Sequence, residues 1–270
     1  LTPFPHYMDE TKQRPAIKYS DTDAKPIVDT IAVETPLQTS SDCEDGKLYG
    51  TLMRTPGNDI ELILGLMISS GDLQMNEEIP EIQLSENCIH VSVSSTNSER
   101  SLDSTSSCGI CGRENVEIKP LSNCAVMPKF SIDTEIILHI ISKIGNGQEL
   151  FQSTGGTHAA ALWDLNGEMI SIMEDVGRHN ALDKLIGQQR INENWPMTNM
   201  IVSLSGRISY EMVEKAVRSN IPILISVGSA TTSAIDLAMF HDLTLIVFAR
   251  NNRFTCMTGA HRIKNSDEVK

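Results

Sequence analysis

The sequence has no apolar run that approaches the roughly 20 residues a helix needs to cross a bilayer. Aromatic residues make up only 4% of the chain, against 40% hydrophobic residues in all, so we expect a mainly aliphatic core. The opening stretch, LTPFPHYMDE, has neither a basic region nor an apolar segment. These absences argue against a membrane-spanning protein and against a secretory signal.

Positive charge is also scarce in this sequence. The chain has 22 Lys and Arg residues against 35 Asp and Glu residues, which gives a formal net charge of −13. Non-specific nucleic-acid binding requires clustered cations, so we expect no nucleic-acid partner. An anionic ligand would have to meet a local group of hydrogen-bond donors instead of a general positive field.

The six cysteines include a single closely spaced pair, Cys108 and Cys111. A chain of 270 residues can bury a sizeable core without disulfide bonds, so we expect free thiols and a reducing, cytoplasmic location. The other four cysteines are expected to be ordinary small buried residues: Cys43, Cys88, Cys124 and Cys256.

Composition divides the chain into five parts. Residues 1–25 are polar without periodicity and predict a flexible lead-in, and residues 26–93 form a β-rich N-terminal portion. Seven of the fourteen residues in 94–107 are serine, so 94–115 is predicted to be a mobile loop that carries the cysteine pair. Residues 116–263 predict an α/β cofactor-binding core, and 264–270 a tail.

Periodicity predicts several elements. The runs IVDTIAVE, LYGTLMRT and CIHVSVS favour strands. Residues 59–69 form an apolar stretch that we interpret as a helix, although a run that is apolar on every side does not by its period separate helix from strand. One-sided helices are predicted around 136–144 and 181–186, and Asn166-Gly167 between ALWDL and EMISIM predicts a hairpin with a type I′ turn. In the last third, three predicted strands alternate with two predicted helices, of which the second covers 233–240. This βαβαβ order predicts a largely parallel sheet.

Polar loops follow the three strands of that last third, and ligands of such sheets bind beyond the carboxyl ends of the strands. Glycine lets a backbone approach a ligand, hydroxyls and helix N-termini donate to phosphate, and arginine forks onto it. The three loops contribute these candidates: Ser205, Gly206, Arg207; Gly228, Ser229, Thr231; and Arg250, Asn251, Asn252, Arg253. Together they predict a phosphate- or nucleotide-type ligand, with turn and helix-cap chemistry as the alternative for each loop alone.

Two further polar clusters fall in predicted turns. One is TGGTH at 154–158, and the other is EDVGRHN at 174–180 before a helix. The histidines His158 and His179 are candidates for ligand binding or proton handling. The alternative is that Asp175 caps the helix and pairs with Arg178.

The SSCGICG stretch at 106–112 leaves several chemistries open. A closed zinc site needs four ligands, and here Cys124 and His139 would have to complete it at unusual spacings. A zinc deaminase motif is excluded, because no Glu follows His158 and the cysteine pair precedes it. A thioredoxin-type pair normally opens a helix, whereas these residues predict a loop. Such a loop suits a carrier of sulfane sulfur.

Several strings resemble the FdhD family of formate dehydrogenase accessory sulfurtransferases. They are SSCGICG, TGGTHAAAL, EDVGRHNALDKLIG, SGRISYEMVEKAV, and TLIVFARNNR followed by HRI. VETPLQ and MRTPGNDIELILG extend the resemblance, which covers about residues 26–263. That family is similar in fold to cytidine deaminases, so the resemblance implies a three-layer α/β core with a mostly parallel sheet and a smaller β-rich N-terminal portion.

The resemblance implies a function as well. The protein would receive sulfur from a cysteine desulfurase as a persulfide and pass it to the bis(molybdopterin guanine dinucleotide) cofactor before insertion into formate dehydrogenase. By motif match Cys108 carries the persulfide and Cys111 assists, with no metal ligands in the chain. The family's cofactor-binding segment falls on Phe248, Ala249, Arg250, Asn251, Asn252 and Arg253. GDP or GMP would mimic the cargo.

A cargo with two guanine nucleotides would also suit a symmetric homodimer. Ala230 stands where a proline is more usual and Cys256 where an aromatic residue is commoner, so the resemblance is weaker around the nucleotide site. Two other functions remain open: a non-catalytic chaperone that only holds the cofactor, and a zinc-binding α/β protein.

Overall fold

A computed structural model of the chain describes residues 9–42, 46–74, 76–93, 121–122 and 124–264. All of 94–115, with Cys108 and Cys111, lies outside these ranges, as do Cys43 and the residues beyond 264. The predictions made for those residues therefore stay predictions.

Within the described ranges the chain forms fourteen strands. They are β1 (Thr11–Ser20), β2 (Asp23–Ala32), β3 (Thr35–Ser41), β4 (Lys47–Arg54), β5 (Ile82–Ser85), β6 (Cys88–Val91), β7 (Ile132–Asp133), β8 (His158–Trp163), β9 (Met169–Asp175), β10 (Ile201–Leu204), β11 (Ile223–Ser226), β12 (Thr244–Arg250), β13 (Arg253–Thr258) and β14 (Ile263–Lys264). Six α-helices accompany them: α1 (Asp59–Ser70), α2 (Thr134–Lys143), α3 (Glu149–Thr154), α4 (Arg178–Ile191), α5 (Tyr210–Arg218) and α6 (Thr232–Phe240). The predicted helices at 59–69, 136–144, 181–186 and 233–240 are confirmed.

The largest sheet has six strands in the order β13-β12-β11-β10-β8-β9. Strands β10, β11 and β12 are parallel neighbours joined through α5 and α6, which confirms the predicted βαβαβ unit and the α/β class. The prediction of a mostly parallel sheet is wrong, because β13, β8 and β9 all pair antiparallel with their neighbours. Short turns connect β8 to β9 and β12 to β13, and a short turn can join only antiparallel strands.

The core lies on both faces of this sheet. Successive residues of a strand point to opposite faces, so on β10 Val202 and Leu204 belong to one buried cluster and Ile201 to another. Helices α1, α4, α5 and α6 contribute to the first cluster, and α2 contributes to the second. The sheet is therefore covered by helices on both sides.

The N-terminal portion contains two separate sheets. One has four strands in the order β4-β3-β6-β5, and the other is the antiparallel hairpin β1–β2. The hairpin contradicts the prediction of a flexible lead-in over 11–25. The side chains of both strands are nearly all exposed, so the hairpin can have the polar composition that is typical of a disordered segment. Its regular structure comes from the hydrogen bonds between the two backbones.

The β8–β9 hairpin is confirmed, but its turn differs from the predicted type. A type I′ turn needs a positive φ at both central residues, whereas only the second, Gly167, has one (83°). The carboxylate of Asp164 accepts hydrogen bonds from the amides of Asn166 and Glu168, at 2.9 and 2.8 Å. Side-chain capping by Asp164 therefore selects a wider turn.

Helices α1 and α4 cross at a pair of glycines. A Cβ atom on Gly65 would lie 1.8 Å from the carbonyl oxygen of Asp183, and one on Gly187 would lie 1.9 Å from that of Glu61. No side chain fits at these distances, so glycine is required at both positions. This crossing holds the N-terminal portion against the α/β core.

Buried ion pairs surround the same crossing. The Lys184 ammonium lies 2.8 Å from the carboxylate of Asp175, and that of Lys215 lies 2.8 Å from both carboxylate oxygens of Asp183. The Ser69 hydroxyl of α1 donates to Asp183 as well, at 2.8 Å. Each charge is compensated, and removal of one partner would leave the other charged and buried.

We predict that Gly187→Ala lowers the free energy of unfolding by more than about 2 kcal/mol, because the new methyl group forces α1 and α4 apart. Urea denaturation followed by circular dichroism measures this. Gly145→Ala is the matched control, since a Cβ there has nothing within 4 Å. Equal stability of the two variants would contradict the close crossing.

Candidate functional site

The predicted ligand loops converge on one edge of the six-stranded sheet. Strands β10, β11 and β12 end there, and β8, which runs in the opposite direction, begins there at His158. A cleft of about 580 Å³ lies between this edge and the α2–α3 segment. That volume is within the range typical of small-molecule sites.

One wall of the cleft comes from α2, α3 and the turns beside them. Ile141 and Ile144 give it an apolar surface, and the amide of the buried Gln148 side chain donates to the Ile144 carbonyl at 2.7 Å. Gly155 and Gly156 form the rim, where backbone is open to a ligand. The sequence analysis read GNG at 145–147 only as the end of a helix and so missed this wall. The second glycine turn, at 155–156 and eight residues after Gly147, was the available signal.

The opposite wall is built around His158 and Ser205. The Ser205 hydroxyl accepts a hydrogen bond from the amide of Ala159 at 2.8 Å and lies 3.4 Å from Nδ1 of His158. A Cβ on Gly206 would lie 3.4 Å from the same Nδ1 and 3.5 Å from Cδ of Arg178. The glycine thus leaves room for an imidazole and an arginine side chain at one turn.

The pKa of His158 is lowered from the ordinary histidine value. Partial burial is the main cause, and the charges of Arg178 and His179 add to it, while Asp175 acts in the opposite direction. The imidazole is therefore neutral at pH 7 and can both donate and accept a hydrogen bond. Because the folded protein holds this proton less tightly than the unfolded chain does, His158 makes folding less favourable as pH falls through about 6.5.

The end of β12 has an irregular backbone. Its register with β13 shifts between Val247 and Arg250, and Phe248 has a φ of 53°. Such a bulge redirects the side chains that follow it. Ala249, Arg250 and Asn251 line the cleft, and Asn251 has a φ of 54°, a left-handed conformation that asparagine adopts more readily than most residues.

The loops after β10 and β11 are held largely by their own hydrogen bonds. The Ser226 hydroxyl accepts from the amide of Gly228 at 2.9 Å and donates to the carbonyl of Gly206. The carbonyl of Ser229 accepts from the amide of Ile208, and the Thr231 hydroxyl caps α6 at the amide of Ala234. Turn and cap chemistry, the alternative for a single loop, thus accounts for these groups.

The EDVGRHN stretch contributes mainly to packing. Asp175 is fully buried, and its carboxylate pairs with the ammonium of Lys184, a partner that the sequence did not indicate. The Glu174 carboxylate accepts from the first amides of α3, those of Leu150 and Phe151, both at 2.8 Å. Glu174 therefore holds α3, which contributes to one wall of the cleft, and Asp175 holds the start of α4.

His179 lies beneath this site. Its Nε2 is 3.0 Å from a carboxylate oxygen of Glu211, and the side chain is buried between α4 and α5. His158, by contrast, borders the cleft directly.

The structure thus sorts the predicted site residues into two groups. Those that line the cleft are His158, Ser205, Ala249, Arg250 and Asn251. Those that lie outside its lining are His179, Gly206, Arg207, Gly228, Ser229, Thr231, Phe248, Asn252 and Arg253. Val227, which sequence reasoning missed, completes the lining at the end of β11.

Comparison with known proteins agrees with this architecture. Residues 32–264 match the family model described as the FdhD/NarQ family. The chain belongs to the FdhD/NarQ family.

Relatives in the family match the chain over nearly their whole length. The sulfur carrier protein FdhD of Picrophilus torridus is 40% identical over 250 residues, which span 89% of this chain and 94% of that protein. That of Sulfolobus acidocaldarius is 42% identical over 87% of this chain and 91% of its own. The fold also matches a crystal structure assigned as a formate dehydrogenase accessory protein of Desulfotalea psychrophila, with a TM-score of 0.77 and 24% identity over 95% of this chain and 100% of that one.

The described cysteines of this FdhD/NarQ member are single thiols. Cys88 is exposed at the start of β6, so its expected burial is wrong, while Cys124 and Cys256 are half-buried. Burial raises the pKa of both Cys124 and Cys256, which keeps these two thiols protonated at neutral pH. Neither has the character of an activated nucleophile.

The zinc alternative finds no support in the part of the chain that the structure describes. Cys124 packs against the first core cluster, whereas His139 lies on α2, on the other face of the sheet. They cannot complete one zinc site together. No cluster of three or more potential metal ligands occurs among the described residues, and no helix there is long and apolar enough to span a membrane.

We predict that His158 titrates below pH 6.5 and that Arg178→Gln raises its pKa, because a neighbouring positive charge is removed. The imidazole resonances in a two-dimensional NMR titration report this pKa directly. Arg253→Gln, an exposed arginine outside the cleft lining, should leave it unchanged. A pKa above 6.5 in the unaltered protein would contradict the described environment.

Proposed function

We propose that this protein is a sulfur carrier for formate dehydrogenase maturation. It receives sulfur from a cysteine desulfurase as a persulfide on Cys108 and transfers it to the bis(molybdopterin guanine dinucleotide) cofactor before insertion. The names of its relatives at 40% and 42% identity support the carrier role. The cleft at the strand ends is the observation that supports the proposed binding of this cofactor.

The chemistry of the cleft suits one of the two guanine nucleotides of such a cargo. Arg250 supplies a positive charge for phosphate, the Asn251 side chain can pair with a base edge, and the glycine rim lets the cargo approach the backbone. The wall of Ile141 and Ile144 offers an apolar surface to a ring system. In a chain of net charge −13, this local arrangement is what an anionic guanine nucleotide requires.

The proposed transfer has two steps. The Cys108 thiolate attacks the outer sulfur of the donor's persulfide, the sulfur–sulfur bond breaks, and the donor's cysteine leaves as a thiolate. At the cofactor, the Cys111 thiolate attacks the inner sulfur of the Cys108 persulfide and forms a disulfide, so that sulfide departs to the metal. A cellular dithiol then reduces the Cys108–Cys111 disulfide, which places the cycle in a reducing compartment such as the cytoplasm.

The segment between Cys108 and Leu121, which we call the tether, has enough residues to bring the Cys108 sulfur to the cleft. The amide of Leu121 donates to Nε2 of His241 at 2.8 Å, and His241 follows α6, at the edge of the sheet opposite the cleft. The seven residues of β12 separate those edges by about 23 Å. Cys108 precedes Leu121 by 13 residues, which can span at most about 45 Å when extended.

We predict that incubation with a cysteine desulfurase and cysteine adds about 32 Da, one sulfur atom, to the peptide that contains Cys108, since the thiolate is the nucleophile. Cys108→Ala should abolish this adduct and formate dehydrogenase maturation. Cys256→Ala is the matched control, because that thiol is half-buried and its pKa is raised. Intact peptide mass spectrometry measures the adduct.

The Cys108 test separates the alternatives. Full maturation with Cys108→Ala would overturn the carrier role and favour a chaperone that only holds the cofactor. Stoichiometric zinc in the purified protein would favour the third function, because a structural zinc survives purification.

We predict that Arg250→Gln weakens GDP binding about tenfold, since loss of one charge-assisted hydrogen bond costs roughly 1.5–3 kcal/mol and water recovers part of it. Isothermal titration calorimetry gives the dissociation constant. Arg253→Gln removes the same charge from the residue that faces Arg250 across the β12–β13 turn but lies outside the cleft lining, so it should change affinity less than Arg250→Gln. Equal losses would place the nucleotide elsewhere.

A further inference from the structure

The side chain of Gln148 carries a hydrogen-bond acceptor that the rest of the described chain does not use. Gln148 precedes α3, lines the cleft and is only 7% exposed. Its Nε2 donates to the carbonyl of Ile144 at 2.7 Å, whereas its Oε1 accepts no hydrogen bond from any residue that the structure describes. Buried polar atoms nearly always have a partner. The Oε1 atom is therefore available to a group that enters the cleft.

The contact with Ile144 fixes which atom of the Gln148 amide faces a ligand. Ile144 caps the C-terminus of α2, where the last carbonyl oxygens of a helix have no partner within it. The Nε2 of Gln148 supplies a donor to that carbonyl, and an exchange of the two amide atoms would place two oxygens 2.7 Å apart. The amide therefore has one orientation, in which Oε1 is only an acceptor.

The helix that follows Gln148 is held in place by a carboxylate. Glu174 accepts hydrogen bonds from the amides of Leu150 and Phe151, both at 2.8 Å. The same carboxylate accepts from the hydroxyl of Thr157 at 3.0 Å, so α3 and the glycine rim are connected through one side chain. The acceptor of Gln148 thus belongs to a fixed wall, and a ligand that meets it pays little for ordering that wall.

An aromatic ring lies beside this acceptor. Phe151 follows Gln148 by three residues, lines the same cleft and is 44% exposed. The residue that caps the start of a helix and the residue three positions later have neighbouring side chains. A base that stacks on an aromatic side chain keeps its edge free for hydrogen bonds. A planar ring stacked on Phe151 therefore has an edge close to the amide of Gln148.

We propose that Gln148 selects guanine in the cleft: its Oε1 accepts hydrogen bonds from N1–H and the 2-amino group of a base that stacks on Phe151. This inference rests on the proposed guanine nucleotide cargo and adds the residue that recognises the base. Asn251, from the end of β12, remains available to another edge of the same base.

The donors of the bases give the reason for this preference. Guanine has two adjacent donors on this edge, N1–H and the 2-amino group, and a carbonyl oxygen can accept from both. Adenine has an acceptor at N1 beside its amino group, and an acceptor that faces Oε1 is repelled. A bidentate pair with adenine uses both atoms of an amide, and here Nε2 of Gln148 already donates to Ile144. The lone acceptor therefore favours guanine.

The test measures the binding of GDP, ADP and inorganic pyrophosphate to the full chain by isothermal titration calorimetry. The unaltered chain should bind GDP at least about tenfold more tightly than ADP. Gln148→Met keeps the length of the side chain and removes the amide oxygen. This variant should bind GDP about tenfold more weakly and should bind ADP and pyrophosphate with little change, so the preference for guanine disappears.

Two further variants separate base recognition from support of the wall. Gln152→Met is the matched control, because Gln152 is exposed on α3 outside the cleft lining, and it should keep the affinities of the unaltered chain. Phe151→Ala should weaken GDP and ADP together and spare pyrophosphate, since every base has a face that stacks. Loss of the contact with Ile144 alone would loosen the wall and weaken both nucleotides equally, which leaves their ratio unchanged.

Three outcomes would overturn the proposal: equal affinity of the unaltered chain for GDP and ADP, including no binding of either; a preference for GDP that Gln148→Met retains; or equal losses in Gln148→Met and Gln152→Met. Pyrophosphate binding that depends on Arg250, without a preference for GDP, would overturn this inference and leave the phosphate site in place. Loading of the Cys108 persulfide, measured on the same variants, reports on the sulfur carrier role separately.

Discussion

The carboxylate of Asp175 connects the parts of this molecule on which the rest depends. It is fully buried at the end of β9 and pairs with the Lys184 ammonium at 2.8 Å. It also accepts from the amide of Thr55, in the loop between β4 and α1, and from the amide of Gly177 at the start of α4. One side chain thereby ties the N-terminal portion, the edge of the large sheet and α4 together, and a buried carboxylate is stable there only because every oxygen has donors.

The same contacts account for much of the polar content of the string EDVGRHNALDK. Asp175 and Lys184 form one buried pair, Asp183 joins Lys215 of α5 and Ser69 of α1, and Gly187 a few residues later permits the close crossing of α1 and α4. Most of these residues face other parts of the protein instead of the cleft. The many acidic, cationic and amide side chains of that stretch thus serve the packing between two portions of the chain. Arg178, with His158 of β8, lies beside Gly206 at the edge of the sheet, so this packing leaves a role for both at the site.

The cleft is shaped by irregular backbone as much as by side chains. The bulge at Phe248 redirects the end of β12, the left-handed Asn251 follows, and Gly155 and Gly156 open the opposite rim. His158, Ser205, Arg250 and Asn251 bring an imidazole, a hydroxyl, a guanidinium and an amide to the cleft of a chain whose net charge is −13. Such a site suits the anionic, planar cargo proposed above, to which the proposed carrier thiols would be brought on the segment between Cys108 and Leu121.

Local spacing in the sequence was sufficient for the helices at 136–144 and 233–240, because their apolar residues repeat on one face. Strand order likewise predicted the βαβαβ unit and the arrival of Ser205 and Arg250 at one edge, whereas the position of His158 beside them came only from the structure. Only the tertiary structure decided that β1 and β2 pair, that β8, β9 and β13 run antiparallel, and that α2 and α3 form a wall of the cleft. It also assigned Asp175 to Lys184 and buried His179 against Glu211. Those outcomes depend on groups far apart in the chain, whose approach is set by packing and backbone hydrogen bonding that no single stretch of sequence encodes.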